Sequence, residues 1–284
     1  MRRLIAALAV TLTAPAFGVA LQSTANAQAT PADPAAALER RLADGRGVEF
    51  SEVTTDTIKP SPGHQAKGGR KIVSQSRGVA EFGGGKVVAT DLTDRSSTKP
   101  GSSMRWMSFG DRTYAAGWLF SPLPAGKSWV LLEGGAGPTL TSGRIELDHP
   151  ATLKAVLATA SAKSAGGTYD GTRTTLYQGK ITFGELRKAF PEFRLESGEQ
   201  PTAEHLKIKV SWRLWLGEDR LVRRAWSSWT EPLTKGVDSD VLHVNDIRLT
   251  GWGTPVHVVP PLDDQVTTSD DLAPHYEVNR ATDS

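Results

Sequence analysis

Six histidines are the first residues to test for chemistry: His64, His149, His205, His243, His257 and His275. A zinc protease places two of them one helical turn apart around a glutamate, as HExxH. Glu204-His205 runs on as LKIK, which is strand-like, and no other histidine fits that pattern. His243 and His257 fall on neighbouring predicted strands, where they could meet Asp246 around a metal; surface or hydrogen-bonded histidines are the plainer reading. Asp148-His149 stands just before a helical run and reads as a polar cap. Gly126-Lys127-Ser128 resembles the end of a phosphate loop, but Ser121 occupies the required glycine position and the strand WVLLE follows instead of a helix. Gly134 to Gly137 lacks the third glycine of a dinucleotide turn. No G-x-S-x-G elbow occurs. The chain has no cysteine, which removes thiol catalysis and thiolate metal sites. Acids are plentiful, but no spacing singles out a catalytic pair. The expectation is therefore no catalytic residue, no metal and no cofactor. Glutamine or asparagine at His149, His243 and His257 should then act only on local hydrogen bonds.

The other candidate is KVSWRLWLGEDRLVRRAWSSW, Lys209 to Trp229, which holds four of the eight tryptophans and four arginines. Tryptophan with arginine can mean base stacking, sugar stacking or a sheet with one apolar face. Strand alternation tests the last. Val210, Trp212, Leu214 and Leu216 share one face; Ser211, Arg213 and Trp215 share the other. With a three-residue turn at Gly217–Asp219, Val222 and Trp226 join the apolar face; a two-residue turn would swap the returning strand. The apolar face then fits either a plain core or an open cavity for an apolar ligand.

These residues need elements to position them. Ala35–Ala43 reads as a helix and Val48–Ile58 as extended. Lys59–Arg70 is a Pro/Gly/Lys-rich loop. Two hairpins follow: Lys71–Phe82 with Lys86–Asp91 across three glycines, and Met104–Phe109 with Arg112–Trp118. Lys127–Glu133 is a further strand. A helix opens at His149-Pro150, with Leu153, Val156, Leu157 and Ala160 on one face, and should run to Gly166-Gly167. Thr172–Thr182 is a strand and Phe183–Phe190 a short helix. Lys207–Leu216 and Arg220–Thr230 form the tryptophan hairpin, and Val241–Gly251 and Val256–Val259 the last strands. Hairpins, helices, then hairpins again give an α+β fold with an antiparallel sheet. The helices at 150–162 and 183–190 are the available covers for its apolar face.

The ends carry different signals. Residues 1–27 read as a signal peptide, with Arg2 and Arg3, an interrupted apolar run and small residues at Ala25-Asn26-Ala27. Residues 28–44 form an N-terminal segment with its short helix, 45–260 one domain and 261–284 a polar tail. Outside the leader the chain has 31 basic and 31 acidic residues. A neutral mature chain gives no electrostatic reason to expect nucleic acid as a partner. Export by the ordinary secretory route, without a lipid anchor because no cysteine is present, is the expected localisation.

Over roughly residues 45–260 the chain resembles the LolA-like and LprG/LppX-like secreted lipid carriers. The landmarks fall in family order: MRWMSFGDRTYAA, PAGKSWVLLE, the helix HPATLKAVLATA, GGTYDGTRTTLYQGKITFGELRK, and SWRLWLGEDRLVRRAW with Trp215 and Arg223 in motif places. The resemblance implies a half-open antiparallel β-barrel whose concave face is covered by helices and holds acyl chains, with no catalytic residues. It makes Trp212, Leu214, Leu216, Val222, Trp226, Leu153, Val156 and Leu157 the expected lining of a site for a lipid or other apolar ligand. Transient contact with a membrane or an envelope protein is the expected partnership. The same fold with a filled interior would instead serve as an envelope sensor or interaction module.

Overall fold

The computed structural model describes residues 33–43, 46–59, 69–135, 137–195, 198–232 and 239–272. The expected leader and its cleavage sites, most of the loop at 59–70 and the last twelve residues, 273–284, lie outside the described residues.

Helix α1 (Pro34–Arg41) precedes three long strands, β1 (Arg46–Ile58), β2 (Arg70–Gly83) and β3 (Lys86–Ser96). Then come β4 (Met104–Phe109), β5 (Arg112–Gly117), β6 (Trp129–Glu133), and a small ribbon of β7 (Thr141–Ser142) and β8 (Ile145–Glu146). Helix α2 (Pro150–Ala158), β9 (Ala160–Tyr169), β10 (Thr172–Thr182) and helix α3 (Phe183–Ala189) follow. The chain closes with β11 (Lys209–Gly217), β12 (Val222–Pro232), β13 (Asp240–Thr254) and β14 (Val266–Thr268). Twelve strands form one sheet in the order β14-β6-β5-β4-β3-β2-β1-β13-β12-β11-β10-β9. Every pairing is antiparallel except that of β14 with β6. The molecule is thus mostly β, with one large sheet and few helices.

Helices α1, α2 and α3 pack on one face of that sheet. Leu38 and Leu42 at α1, Leu153 and Val156 of α2 and Phe183 and Leu186 of α3 join one core. Their sheet partners include Phe50 of β1, Phe82 of β2, Trp212 of β11 and Ile247 of β13. The helices start where their sequences say they should. His149 caps α2, accepting from the Thr152 amide at 3.4 Å, and Pro150 takes the first turn, where no amide is missed. Thr182 and Glu185 form a reciprocal capping box on α3.

Four expectations need correction. Helix α2 stops at Ala158, and 160–169 is the exposed edge strand β9. Thr159 turns its hydroxyl back onto the Val156 carbonyl, and the small, polar run ASAKSAGG offers no apolar face to hold a longer helix. Residues 256–259 form no strand. They cross the opposite face of the sheet, where Val258 packs with Ala89 and Met107 and its amide donates to Glu81 at 2.7 Å. The tail contains β14, and Leu272 there is buried. Finally, Trp226 lies on the opposite face from Trp212. The turn runs to Leu221, whose carbonyl accepts from the Gly217 amide, and a bulge opposite Trp215/Leu216 shifts the register. Val222 stays on the covered side, but Trp226 pairs with Arg213 across the strands.

Candidate functional site

The covered face is sealed where the ligand site was expected. Leu214 is 0% exposed and Trp212 1%. Leu216, Val222, Leu153 and Val156 are also buried in the main core, and Leu157 is partly buried at its margin. A side chain bordering a space wide enough for an acyl chain would keep surface that a water-sized sphere could touch. These six keep almost none. The packing around Trp212 explains why. Its Nε1 donates to the Thr159 hydroxyl at 3.1 Å, and it crosses Gly179, where a Cβ would come within 2.7 Å of the indole. Trp226, on the other face, lies under the Arg213 guanidinium, 4.8 Å from the ring centroid.

Next to this core the same face turns polar. His243 and Asn245 of β13 occupy inward positions that Val241, Ile247 and Leu249 fill elsewhere. His243 Nδ1 lies 2.8 Å from Asp56 of β1. Its Nε2 lies 3.2 Å from Glu231 of β12, as an ion pair and not as a directed hydrogen bond. Trp229 stacks on the imidazole at 4.7 Å, and Arg144 from the β7–β8 turn sits over Trp229 and 3.5 Å from Glu231. Gly143 lets that turn approach: it has φ +60°, and a Cβ there would come within 2.3 Å of Trp229. Burial opposes charge on His243, but the two carboxylates outweigh it and raise its pKa to about 9. Glu52, one step nearer the core, is raised to about 7 by burial, against the hydrogen bond from Asn245. Glu146 is also raised to about 7 by burial, against the Thr139 hydroxyl.

All three shifts give stability the same pH sign. A group whose folded pKa is raised makes the native state bind more protons, so stability falls as pH rises through the interval. The Glu52 and Glu146 contributions should be lost between pH 4.5 and 7, and that of His243 between 6.5 and 9. We expect the unfolding free energy from urea melts to decline across both windows, by up to about 3 kcal/mol per group and by less where water reaches it. Glu52→Gln should flatten only the lower window. An unfolding free energy that rises with pH over this range would contradict the assignment.

His257 is 81% exposed beside Glu81, and Asp246 is held by Arg224 on the opposite face, so neither meets His243. Among the described residues no group of three or more His, Cys, Asp or Glu is arranged to hold a metal ion.

The covered face continues to β3, β4, β5 and β6, where Ala115 and Val130 are fully buried but several larger apolar side chains are not sealed. Leu92 of β3 pairs with Trp106 of β4, which pairs with Ala115 and, through it, Val130. Leu92, Trp106, Phe120 and Leu132 are only partly buried. Trp106 and Phe120 meet edge to face at 6.4 Å. The strip ends at a short 3₁₀ turn where Trp118 is 36% and Leu119 49% exposed, with Lys99 over the Trp118 ring at 4.9 Å. The sequence reading missed this strip. Its signal was present in Trp106 and Trp118, taken there as strand residues, and in Leu119 and Phe120, which were assigned no role.

No family model and no curated protein matches the chain. The crystal structure of LprF from Mycobacterium bovis is similar to it. Sequence identity is 15%, the TM-score is 0.35, and the match covers 80% of this chain and 96% of that one. A likeness this distant bears on neither the site nor its ligand. Among the described residues no helix is long and apolar enough to cross a membrane.

Proposed function

We propose that the protein is an exported, non-enzymatic binder or carrier of a lipid or other long apolar molecule. One domain, 45–260, would wrap its strands as a half-open barrel around the ligand. The observation behind this reading is the partition of the covered face. Large apolar side chains are sealed at β10–β13 but left partly open along Leu92, Trp106, Phe120 and Leu132. Beside them Trp118 and Leu119 are exposed, and exposed apolar clusters mark places where a ligand or membrane is met. An acyl chain lying there would gain about 25 cal/mol for each Å² of apolar surface removed from water. In this reading Trp212, Leu214, Leu216, Val222, Leu153 and Val156 form the rigid floor behind the site, Leu157 borders it and Trp226 takes no part. The exposed Trp118 and Leu119 would touch a membrane transiently while the ligand transfers.

Native mass spectrometry of the protein purified from its own host tests this. Wild type should carry a bound mass of several hundred daltons, the scale of a single lipid molecule. Trp106→Ala with Phe120→Ala should lose most of it while staying folded. Wild type with only the mass of its chain would overturn the proposal.

The second reading, an envelope sensor or interaction module with a filled interior, is favoured by the sealed packing around Trp212. Retained fold and partner signalling in a protein that never carries lipid would support it.

A further inference from the structure

On the uncovered face of the long strands lies a cleft of about 360 Å³. Its walls come from β1, β2 and β3: Ser51, Val53, Gln75, Arg77, Thr93 and Arg95. Glu52 and Ser76 also border it, but their side chains point to the other face, toward Asn245 and Asp94. Register fixes how the cations meet. Arg77 stands opposite Thr93, and Arg95 is two residues further on, so the two arginines are diagonal neighbours. Diagonal Cβ atoms on an antiparallel pair lie roughly 7–8 Å apart, within reach of one another's long side chains. Arg248 of β13 pairs with Ser51, which pairs with Arg77. Two strand spacings put Arg248 about 10 Å from Arg77, across the same surface.

The state of these arginines is what distinguishes them. Two other arginines on this face are locked by acids. Arg105 holds Asp91 through two hydrogen bonds of 2.9 and 2.6 Å. Arg224 holds Asp246 through two of 2.8 and 2.5 Å. Asp246 is the carboxylate beside Val53, and Arg224 already takes both its oxygens. Arg77, Arg95 and Arg248 are exposed and have no ion pair among the described residues. Arg77 and Arg95 wall the cleft and Arg248 stands beside it, with Glu49 diagonal to Arg77 and Arg248 as the nearest unpaired acid, so positive charge is in excess there and an anion would join it. Guanidinium groups match the paired oxygens of a phosphate or phosphodiester, and the Ser51, Thr93 and Gln75 side chains add neutral hydrogen-bonding groups around them.

We propose that this cleft binds a phosphate-bearing group, either a free phosphate compound or the headgroup of an anionic lipid. The site is on the opposite side of the sheet from the apolar strip and does not depend on it. A phosphate gripped there would set the orientation of the protein on an anionic surface or tether a soluble phosphorylated partner.

The test uses the full mature chain and two probes: inorganic phosphate by calorimetry, and phosphatidylcholine vesicles with or without phosphatidylglycerol by sedimentation. Arg77→Gln with Arg95→Gln is the test variant. Arg173→Gln with Lys180→Gln removes the same charge from exposed positions on β10. Wild type should bind at least one probe, the test variant at least tenfold more weakly, and the control like wild type. Phosphate binding that behaves so assigns a soluble source. Binding confined to phosphatidylglycerol vesicles assigns a headgroup. No binding to either probe, or equal loss in the control, would overturn the proposal, because the second result is a general charge effect.

Discussion

Leu214→Asp should fail to fold. Leu214 has no exposed surface and stands between Tyr177 of β10 and Ala225 of β12 on an interior strand of the sheet. A carboxylate there meets no water and no cation, so it must ionise in the core or stay protonated at a high cost. The expected loss exceeds about 4 kcal/mol, a large part of the stability of a domain this size. Leu214→Ala leaves only a cavity and should cost about 2–5 kcal/mol. Arg213→Asp, one residue away on the exposed face, removes a guanidinium stacked on Trp226 and should cost no more than about 1 kcal/mol. Circular dichroism and urea melts of the three proteins check this. A folded Leu214→Asp variant that merely sheds lipid would mean the hairpin lines an open cavity after all.

His243→Gln should be the most damaging change among the histidines. It removes the cation between Asp56 and Glu231 and leaves their repulsion to Arg144 alone. Breaking a partly buried charge cluster in this way costs about 2–4 kcal/mol. The pH dependence separates charge from packing. Wild-type His243 loses its proton as pH rises through about 9, so the difference between the two proteins should shrink there. A constant difference from pH 6.5 to above 9 would assign the loss to the stack on Trp229 instead. His149→Gln and His257→Gln should stay within about 1 kcal/mol, since one caps a helix and the other is exposed. The sequence reading treated the three histidines alike; position in the fold separates them.

Local signals carried the reading of the strands and missed what sequence distance hides. Period-two alternation put Trp212, Leu214 and Leu216 on one face and Arg213 and Trp215 on the other, because that rule depends only on neighbours in one strand. It failed at Trp226, where a bulge inserts one residue and turns the rest of the strand over. The stop of α2 at Ala158 was hidden because the apolar spacing runs on to Ala160, while pairing of β9 with β10 decides the boundary. Strand β14 joins its partner β6 from more than a hundred residues away and has no local hairpin signal. The Asp56–His243 contact spans 187 residues. Yet half of that cluster was visible: VLHVNDIRL puts His243 and Asn245 in line with Val241, Ile247 and Leu249. Polar groups in an apolar row call for buried partners. Open and sealed stretches of one apolar face were not legible at all, since both are written in the same residue types.

The central claim is that an apolar chain lies along β3–β6 beside Trp106, and not against Trp212. Quenching of tryptophan emission by dibrominated stearate tests it directly, because bromine acts only on rings it touches. The wild type should be quenched as the acid is titrated in. Trp106→Phe should lose most of that quenching, while Trp212→Phe, if it folds, should keep it. Quenching that survives Trp106→Phe and vanishes with Trp212→Phe would put the ligand in the hairpin core, and a wild type that is not quenched would contradict the account outright.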